Sequence, residues 1–410
     1  MNNKPDIIVG LDIGTTKIAV IVAHRSSSGN LDVIGVGTHP SKGLRKGVVV
    51  NIEATVESIR QAVQQAEQLA GCKIIDVYAG IAGSHISGDN SFGVVGVKNR
   101  EVTARDLERV IDSARALAIP NDREIIHILP QEYIIDDQDG IKEPLGMSGV
   151  RLEARVHIVT ASVASGQNIV KCANRVGLNV RDIVLEPIAS AEAVLTNEEK
   201  ELGVALVDIG GGTTDLTIFH NGAIKYTAVI PLGGNNITND IAAGLRTPVV
   251  AAEEIKKVYG CASIQNIPNT DSLEVTSTGG RTPRIVSRHQ LIDIIQPRIE
   301  EIFAMVRREL LKSSIDEYLT AGIVLTGGSV LLEGLPDYAE SFFNLPVRRG
   351  YPSDVGGLTD IVGSPEYATG VGLVLYGARS QPAVRERTFH GPNVFERVKT
   401  RMSDWFQAYF

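Results

Sequence analysis

The chain has 410 residues, too many for one hydrophobic core, so two or more domains are expected. Apolar residues at 43% and charged residues at 21% describe an ordinary globular protein, and a net charge of −8 without a Lys/Arg stripe argues against nucleic acid as a partner. Cys72, Cys172 and Cys261 are far apart and odd in number, and no H-E-x-x-H is present, which speaks against a disulfide framework or a zinc site and for reduced thiols. The N-terminus enters a strand directly without a signal-peptide layout, and no apolar run of about 18 residues exists to span a membrane.

In chain order, residues 8–13 form an apolar strand, Gly14-Thr15-Thr16 a turn, and residues from Lys17 onward a second strand alternating apolar with polar. Residues 32–36 and 47–50 read as strands, 53–71 as an amphipathic helix ending on glycine, and 75–81 as a further strand. Residues 84–160 read as an insert with strands at 93–97, 125–133 and 153–160. Its helix opens on the Thr103-Ala104-Arg105-Asp106 cap, runs to Leu117 and stops before Pro120. The insert has mixed charge and no catalytic constellation, so recognition is its expected task. An α/β alternation then returns, with a helix at 166–175, a strand at 180–185 and a helix opening at Glu186-Pro187.

A second strand–turn–strand follows, with Asp208 before Gly210-Gly211-Gly212-Thr213-Thr214. Leu232-Gly233-Gly234-Asn235 turns into a helix, and residues 248–259 form another. The Glu253, Glu254, Lys256 and Lys257 run of that helix also fits a plain solvated face. A strand at 323–326 leads through Gly327-Gly328-Ser329 into a helix at 331–343, and residues 367–376 form a helix of small residues suited to close packing.

The two glycine turns are variants of one another, and that repetition carries the chemistry. Glycine lets backbone N–H groups approach a phosphate, and threonine hydroxyls add donors. Asp12 and Asp208, each at a strand end, can hold waters of a bound Mg²⁺. Either turn alone is equally a tight β-turn, but two facing copies would clamp a nucleoside triphosphate from both sides. The rival phosphate loops do not fit: Gly14 lies three residues before Lys17, not at P-loop spacing, and no G-x-G-x-x-G opens a helix after a strand. Glu186 is placed to hold a magnesium-bound or nucleophilic water, or equally to sit at a helix N-terminus where the dipole favours a carboxylate. The turn at Gly327, Gly328 and Ser329 is by itself a simple βα turn; in this company it reads as a wall for the sugar and base.

The tail has a pattern of its own. Residues 379–392 are polar and read as a tether. In residues 393–410, Val394, Phe395, Val398, Met402, Trp405, Phe406 and Tyr409 fall on one helical face, with Arg397, Lys399 and Arg401 beside or opposite it. A helix docked on its own core has the same pattern, but a tether, large aromatics and flanking cations favour the bilayer interface. Each large side chain contributes roughly 1.5–3 kcal/mol at most, opposed by the acids Glu396 and Asp404. One tail should therefore attach reversibly, and a filament of many tails should hold firmly.

The order of first glycine hairpin, Glu186-Pro187, second hairpin, Thr326-Gly327-Gly328 turn and Ala368-Thr369-Gly370 helix is similar to the actin/Hsp70/sugar-kinase superfamily. Within it the chain resembles the FtsA family of bacterial cell-division actin homologues over essentially its whole length, through Leu232-Gly233-Gly234, Ile237-Thr238-Asn239-Asp240, Pro297-Arg298 and the insert after Gly80-Ile81-Ala82-Gly83-Ser84-His85. The resemblance implies an α/β, actin-like two-lobed fold of duplicated RNase H-like domains, with an inserted small α+β subdomain and a C-terminal amphipathic helix. It implies a first subdomain over 1–83, continued by 161–195 and 366–380, and the insert over 84–160. A third subdomain would cover 196–246 and 321–365 and a fourth 247–320, with a linker at 381–392 and the terminal helix at 393–410.

The resemblance also implies ATP and Mg²⁺ as cofactors, with Asp12 and Asp208 organising the metal's waters and Glu186 nearby. Gly14, Thr15, Thr16 and Lys17 would hold the β- and γ-phosphates from one side, and Gly210, Gly211, Gly212, Thr213 and Thr214 from the other. Gly234, Gly327, Gly328 and Ser329 would line the nucleoside, with Glu253 and Lys256 near the ribose and base. Partners would be the C-terminal peptide of FtsZ at Arg298 and Glu301, further copies in a filament, later division proteins, and anionic lipid on the cytoplasmic face of the inner membrane at midcell. Hydrolysis stays open, since Glu186 is only a candidate for activating water. A sugar kinase would need a base and a sugar pocket that are not found. An Hsp70-type chaperone would need a long substrate domain after Tyr376, and a pilus-assembly relative should lack the terminal amphipathic helix.

Overall fold

A computed structural model describes residues 6–380, except 117–118, 265–266, 269 and 278–281. The linker expected at 381–392 and the terminal helix, with its membrane-facing residues, lie outside the described residues, while Arg379 and Ser380, read as the start of the tether, instead close helix Ala368–Ser380; the expected helix end at Leu117 also lies outside, and the described part of that helix is Ala104–Ala114.

Strands Asp6–Ile13 and Lys17–Arg25 pair antiparallel around the first glycine turn, and Leu31–Pro40 continues the meander. The latter strand alternates buried with half-buried residues because one face packs on the helix Ile52–Ala70. That helix is capped by the Asn51 side chain and closes at Gly71 in the left-handed conformation. It lies so close that a Cβ on Gly37 would fall 1.9 Å from the Ala62 carbonyl oxygen. On the other side of Asp6–Ile13, strands Asp76–Ile81 and Asn179–Leu185 add in parallel.

The second sheet repeats this plan. Strand Val204–Ile209 pairs antiparallel with Thr214–His220, which pairs with Ala223–Ile230, while Ile323–Thr326 and Val347–Arg349 add in parallel on the far side. The duplication seen in two short turns thus extends to five strands in the same order and direction. Helices Glu186–Val194 and Ala368–Ser380 join the lobes. The former packs against both sheets, and a Cβ on Gly372 would fall 1.7 Å from the Ala189 carbonyl oxygen, so the pair touch backbone to backbone.

The insert is a four-stranded antiparallel sheet in the order Ser87–Gly96, Arg151–Ser162, Arg123–Ile135 and Gln138–Ile141, with helix Ala104–Ala114 on one face and its own core of Leu107, Val110, Ile111, Tyr133, Leu152 and Ile158. Thr103 and Asp106 form the expected reciprocal cap.

Two expectations change. Residues 47–50 do contribute a strand, but only Val48–Val49, paired with Leu44–Arg45 in a separate small hairpin that turns through Lys46 and Gly47 at φ 50° and 76°. The helix expected at 331–343 is a short 3₁₀ turn, Gly328–Leu331, followed by Leu335–Phe343, because Gly334 at φ 67° breaks it. Strand Ala223–Ile230 and helix Asn197–Leu202 are additions to the expected elements, although Thr196 and Glu199 form a reciprocal cap at the start of that helix.

Candidate functional site

The two glycine turns meet across the cleft between the lobes. A Cβ on Gly211 would lie 1.7 Å from the Thr16 hydroxyl oxygen, and one on Gly212 would lie 2.5 Å from that of Thr15, so only glycine permits this approach. Gly14 is turned inward on its own hairpin, with a Cβ position 2.8 Å from the Lys17 carbonyl oxygen. In the second turn the Gly210 amide donates to the Thr213 carbonyl at 3.0 Å, and the Thr214 hydroxyl donates to the Leu232 carbonyl at 2.9 Å.

The opening of helix Gly234–Gly244 braces that turn, because the amides of Gly234 and Asn235 donate to the carbonyls of Gly210 and Gly211 at 2.9 and 2.8 Å. Ser329 donates its hydroxyl to the Gly210 carbonyl at 3.0 Å. Gly327, at φ 91°, has a Cβ position 2.3 Å from Asp208 Oδ1. The Lys256 ammonium donates to Thr238 at 2.9 Å and to the Gly234 carbonyl at 3.2 Å, and pairs with Glu253 at 2.7 Å. Burial lowers the Lys256 pKa against the pull of Glu253. Burial also pushes the Glu253 carboxyl up, but hydrogen bonds from Lys256 and Thr238 leave it below its usual value. Glu253 and Lys256 are therefore tied to the cleft rather than to a solvated face.

Beneath the turns lie four acids: Asp12, Asp208, Asp215 and Glu186. Burial pushes Asp12 up to about 7, with Lys17 pulling it down and Asp208 pushing it further up. Burial and the neighbouring Asp208 push Asp215 up to about 8. Glu186 is raised well above its ordinary value by burial, then by Asp12, Asp215 and Asp208. Asp208 is raised by burial and moderated by the hydroxyls of Ser190 at 2.6 Å and Thr369 at 3.5 Å. Asp215 accepts from Thr213 at 3.1 Å through Oδ2, while its buried Oδ1 has no hydrogen-bond partner among the described residues. Glu186 rests on Gly80, whose Cβ position is 3.2 Å from Oε1. Four carboxylates in so dry a place repel one another, and a cation beside them relieves that repulsion. Among the described residues no three His, Cys, Asp or Glu side chains form a direct metal cage.

Two groups of sequence candidates make their direct contacts outside this cluster, although the charge of Lys17 still acts on Asp12. Lys17 donates to Glu366 through Oε2 at 3.0 Å and the carbonyl at 3.1 Å, and its ammonium stands 3.7 Å over the Tyr367 ring. Arg298 grips both oxygens of Asp240, at 2.6 and 3.1 Å, and also pairs with Glu301 on the same helix, Arg288–Ser313.

Sequence reasoning missed Asp215, Ser190, Thr369 and Glu366. Asp215 had a signal, since it is the first residue after the two threonines, the place Lys17 holds in the first turn. Ser190 and Thr369 sit on two different helices, Glu186–Val194 and Ala368–Ser380, and no local sequence signal pairs them.

Residues 205–372 match the family model "Cell division protein FtsA", and residues 83–160 match "SHS2 domain inserted in FTSA". The cell division protein FtsA of Pseudomonas aeruginosa is 51% identical over 409 residues, covering 98% of both chains. Those of Neisseria meningitidis and Escherichia coli K12 are 47% and 42% identical, covering 100% and 91% of both chains. Among solved structures, the PilM–PilN type IV pilus biogenesis complex superposes with a TM-score of 0.67 at 18% identity, covering 92% of this chain and 99% of that one. MreB5 of Spiroplasma citri bound to ADP superposes with a TM-score of 0.54 at 16% identity, covering 90% and 94%. These two likenesses show the actin-like fold; the far higher identities decide between a pilus-assembly relative and a division protein. The chain belongs to the FtsA family of cell-division proteins.

Proposed function

We propose that this chain is an ATP-binding adaptor that polymerises on the inner face of the bacterial inner membrane, anchors FtsZ filaments there and recruits later division proteins. The observation that carries this reading is the meeting of the two glycine turns over the buried carboxylates of Asp12, Asp208 and Asp215 and the half-buried one of Glu186. The triphosphate would lie between residues 14–17 and 210–214, whose amides and hydroxyls orient it. Asp12 and Asp208 would hold Mg²⁺ through water, and the ion would neutralise phosphate charge beside the acids. Gly234, Gly327, Gly328 and Ser329 would line the nucleoside, with Glu253 and Lys256 near the ribose. Glu186 is the candidate for orienting a water, so turnover would be slow and ATP would act mainly to favour the closed, assembling state.

The terminal helix at 393–410 would lie in the bilayer interface through Val394, Phe395, Val398, Met402, Trp405 and Phe406, with Arg397, Lys399 and Arg401 on anionic lipid. Residues 247–320 would receive the FtsZ peptide at Arg298 and Glu301. Because Arg298 already binds Asp240, a peptide carboxylate would compete with that acid. The insert would face filament neighbours and later division proteins.

The test is sedimentation with anionic vesicles in Mg-ATP, run on the full chain, on a chain lacking residues 393–410, and on Asp208→Ala. The full chain should pellet and the truncated chain should not. Asp208→Ala should lose binding of a fluorescent ATP analogue. Unchanged pelleting after truncation overturns the membrane tether, and retained nucleotide affinity in Asp208→Ala overturns the clamp.

A further inference from the structure

The insert belongs to the first lobe by chain connectivity, leaving it after strand Asp76–Ile81 and returning through helix Val163–Val176. Its far side is nevertheless fastened to the second lobe. The contact lies along Ala223–Ile230, the outermost strand of the second sheet. At its centre is His157, 1% exposed, with both ring nitrogens engaged. Nδ1 is 2.6 Å from Asn90 Oδ1 within the insert, and Nε2 is 2.9 Å from the Thr227 hydroxyl in the second lobe. A carbonyl oxygen can only accept, so Nδ1 carries the hydrogen and Nε2 accepts from Thr227.

Two side-chain amides extend the contact to backbone. Gln131 donates to the Ile224 carbonyl at 2.8 Å, and Asn90 donates to the Lys225 carbonyl at 3.1 Å. They occupy acceptors of an edge strand that a neighbouring strand would otherwise take. Lys142 of the insert pairs with Glu201 of the second lobe. A Cβ on Gly88 would fall 2.2 Å from the Thr227 hydroxyl oxygen, so the surfaces approach to backbone distance.

Both ends of the insert lead to the candidate nucleotide cleft. Thr227 pairs with Thr217, and Val229 with Asp215, on the strand that emerges from the second glycine turn. At the insert's root, Ala82 and Gly83 lie against Gly47, whose amide donates to the Thr15 hydroxyl of the first turn at 2.9 Å.

We propose that the insert is a strap across the two lobes, latched by the His157–Thr227 hydrogen bond and its flanking amides, so that lobe separation sets the orientation of the insert and of the surface it offers to partners. Its response to nucleotide rests on the reading that ATP closes the lobes; the latch itself does not. A change at the cleft moves one end of the strap relative to the other, and the insert either turns as a body or the latch opens.

The test is a pair of spin-label distances in the full chain carrying Cys72→Ser, with labels at Glu108→Cys in the insert helix and Glu340→Cys in the second lobe. The unmutated latch should give one narrow distance population. Thr227→Val, which keeps the side-chain shape and leaves His157 Nε2 without its donor, should add a second, longer population. Gln131→Ala, a partly exposed site, should do the same in a milder form. Adding Mg-ATP should shift the distance with the latch intact and leave the longer population of Thr227→Val in place. Binding of a fluorescent ATP analogue is followed in the same samples. No binding would sink the nucleotide reading, yet the nucleotide-free comparison still decides the latch. Identical distance distributions in Thr227→Val, Gln131→Ala and the unmutated latch overturn the proposal.

Discussion

Asp215→Asn should stabilise the nucleotide-free protein at neutral pH. Asp215 is 4% exposed, and burial beside Asp208 raises its pKa from 3.8 to about 8. In the unfolded chain the carboxyl is ionised above pH 4, whereas the fold holds its proton or strains to hold the charge. A carboxyl raised by folding favours the native state only at low pH, and that advantage is lost as pH rises from 3.8 through 8. Each unit is about 1.4 kcal/mol, so at neutral pH the upper limit is roughly 4–5 kcal/mol. Glu186 and Asp208 share the proton load, and a gain of roughly 2–4 kcal/mol is expected for the neutral isostere. Asn can still accept from Thr213. With an unfolding entropy of roughly 2 cal/mol/K per residue, this raises the melting temperature by roughly 2–5 °C if the chain melts as one unit and roughly 5–10 °C if the lobes melt separately. Calorimetry at pH 5 and pH 7.5 checks it. The gain should shrink at pH 5, and Mg-ATP should narrow the gap by stabilising the parent more than the variant. A gain equal at both pH values, or a loss at pH 7.5, would refute the idea that charge burial at this carboxyl strains the empty cleft.

Two further outcomes follow from the geometry. Gly211→Ala places a methyl 1.7 Å from the Thr16 hydroxyl oxygen and should force the turns apart, lowering affinity for a fluorescent ATP analogue by about tenfold or more, equivalent to ~1.4 kcal/mol; unchanged affinity would mean that the turns do not grip the nucleotide together. His157 is lowered from 6.5 to about 4 by burial, with Asp89 pulling it partway back, so its contribution is complete above pH 6.5 and is lost as pH falls toward 4. Urea denaturation should therefore show His157→Gln losing up to about 3 kcal/mol less than the parent across that window, and parallel pH profiles would contradict the neutral buried ring.

What the sequence revealed and what it hid divide along a physical line. The two glycine turns, the Thr326-Gly327-Gly328 turn and the insert helix cap were legible because each is a local arrangement with its own conformational requirement. Glycine was needed where another backbone or hydroxyl approaches, and Thr103 with Asp106 satisfies a helix start within four residues. The break at Gly334 was local too, but a glycine inside an apolar run is an ambiguous signal. Lys17 shows the opposite case. Its partner, Glu366, lies 349 residues along the chain, and nothing near Lys17 announces that the ammonium is held there. Ser190 and Thr369 become a support for Asp208 only once two helices touch through Gly372. The docking of the insert on the second lobe is likewise a property of assembled surfaces, since Asn90, Gln131 and His157 are unremarkable as a sequence pattern.

The cleft also explains why a site can be at once costly and useful. Desolvation raises Asp12, Asp208, Asp215 and Glu186 together, and among the described residues none of their hydrogen-bonding groups is a cation that would relieve the repulsion. Lys17, the cation whose charge lowers Asp12, is committed to Glu366 and Tyr367. On the proposed reading, Mg²⁺ relieves the acids while the phosphates occupy the donors of both turns. The same burial that weakens the empty protein then makes the bound state strongly preferred, which is the requirement for a ligand to shift a two-state equilibrium. A cleft lined by solvated acids would bind the ion with less difference between open and closed forms, and would make a poorer switch.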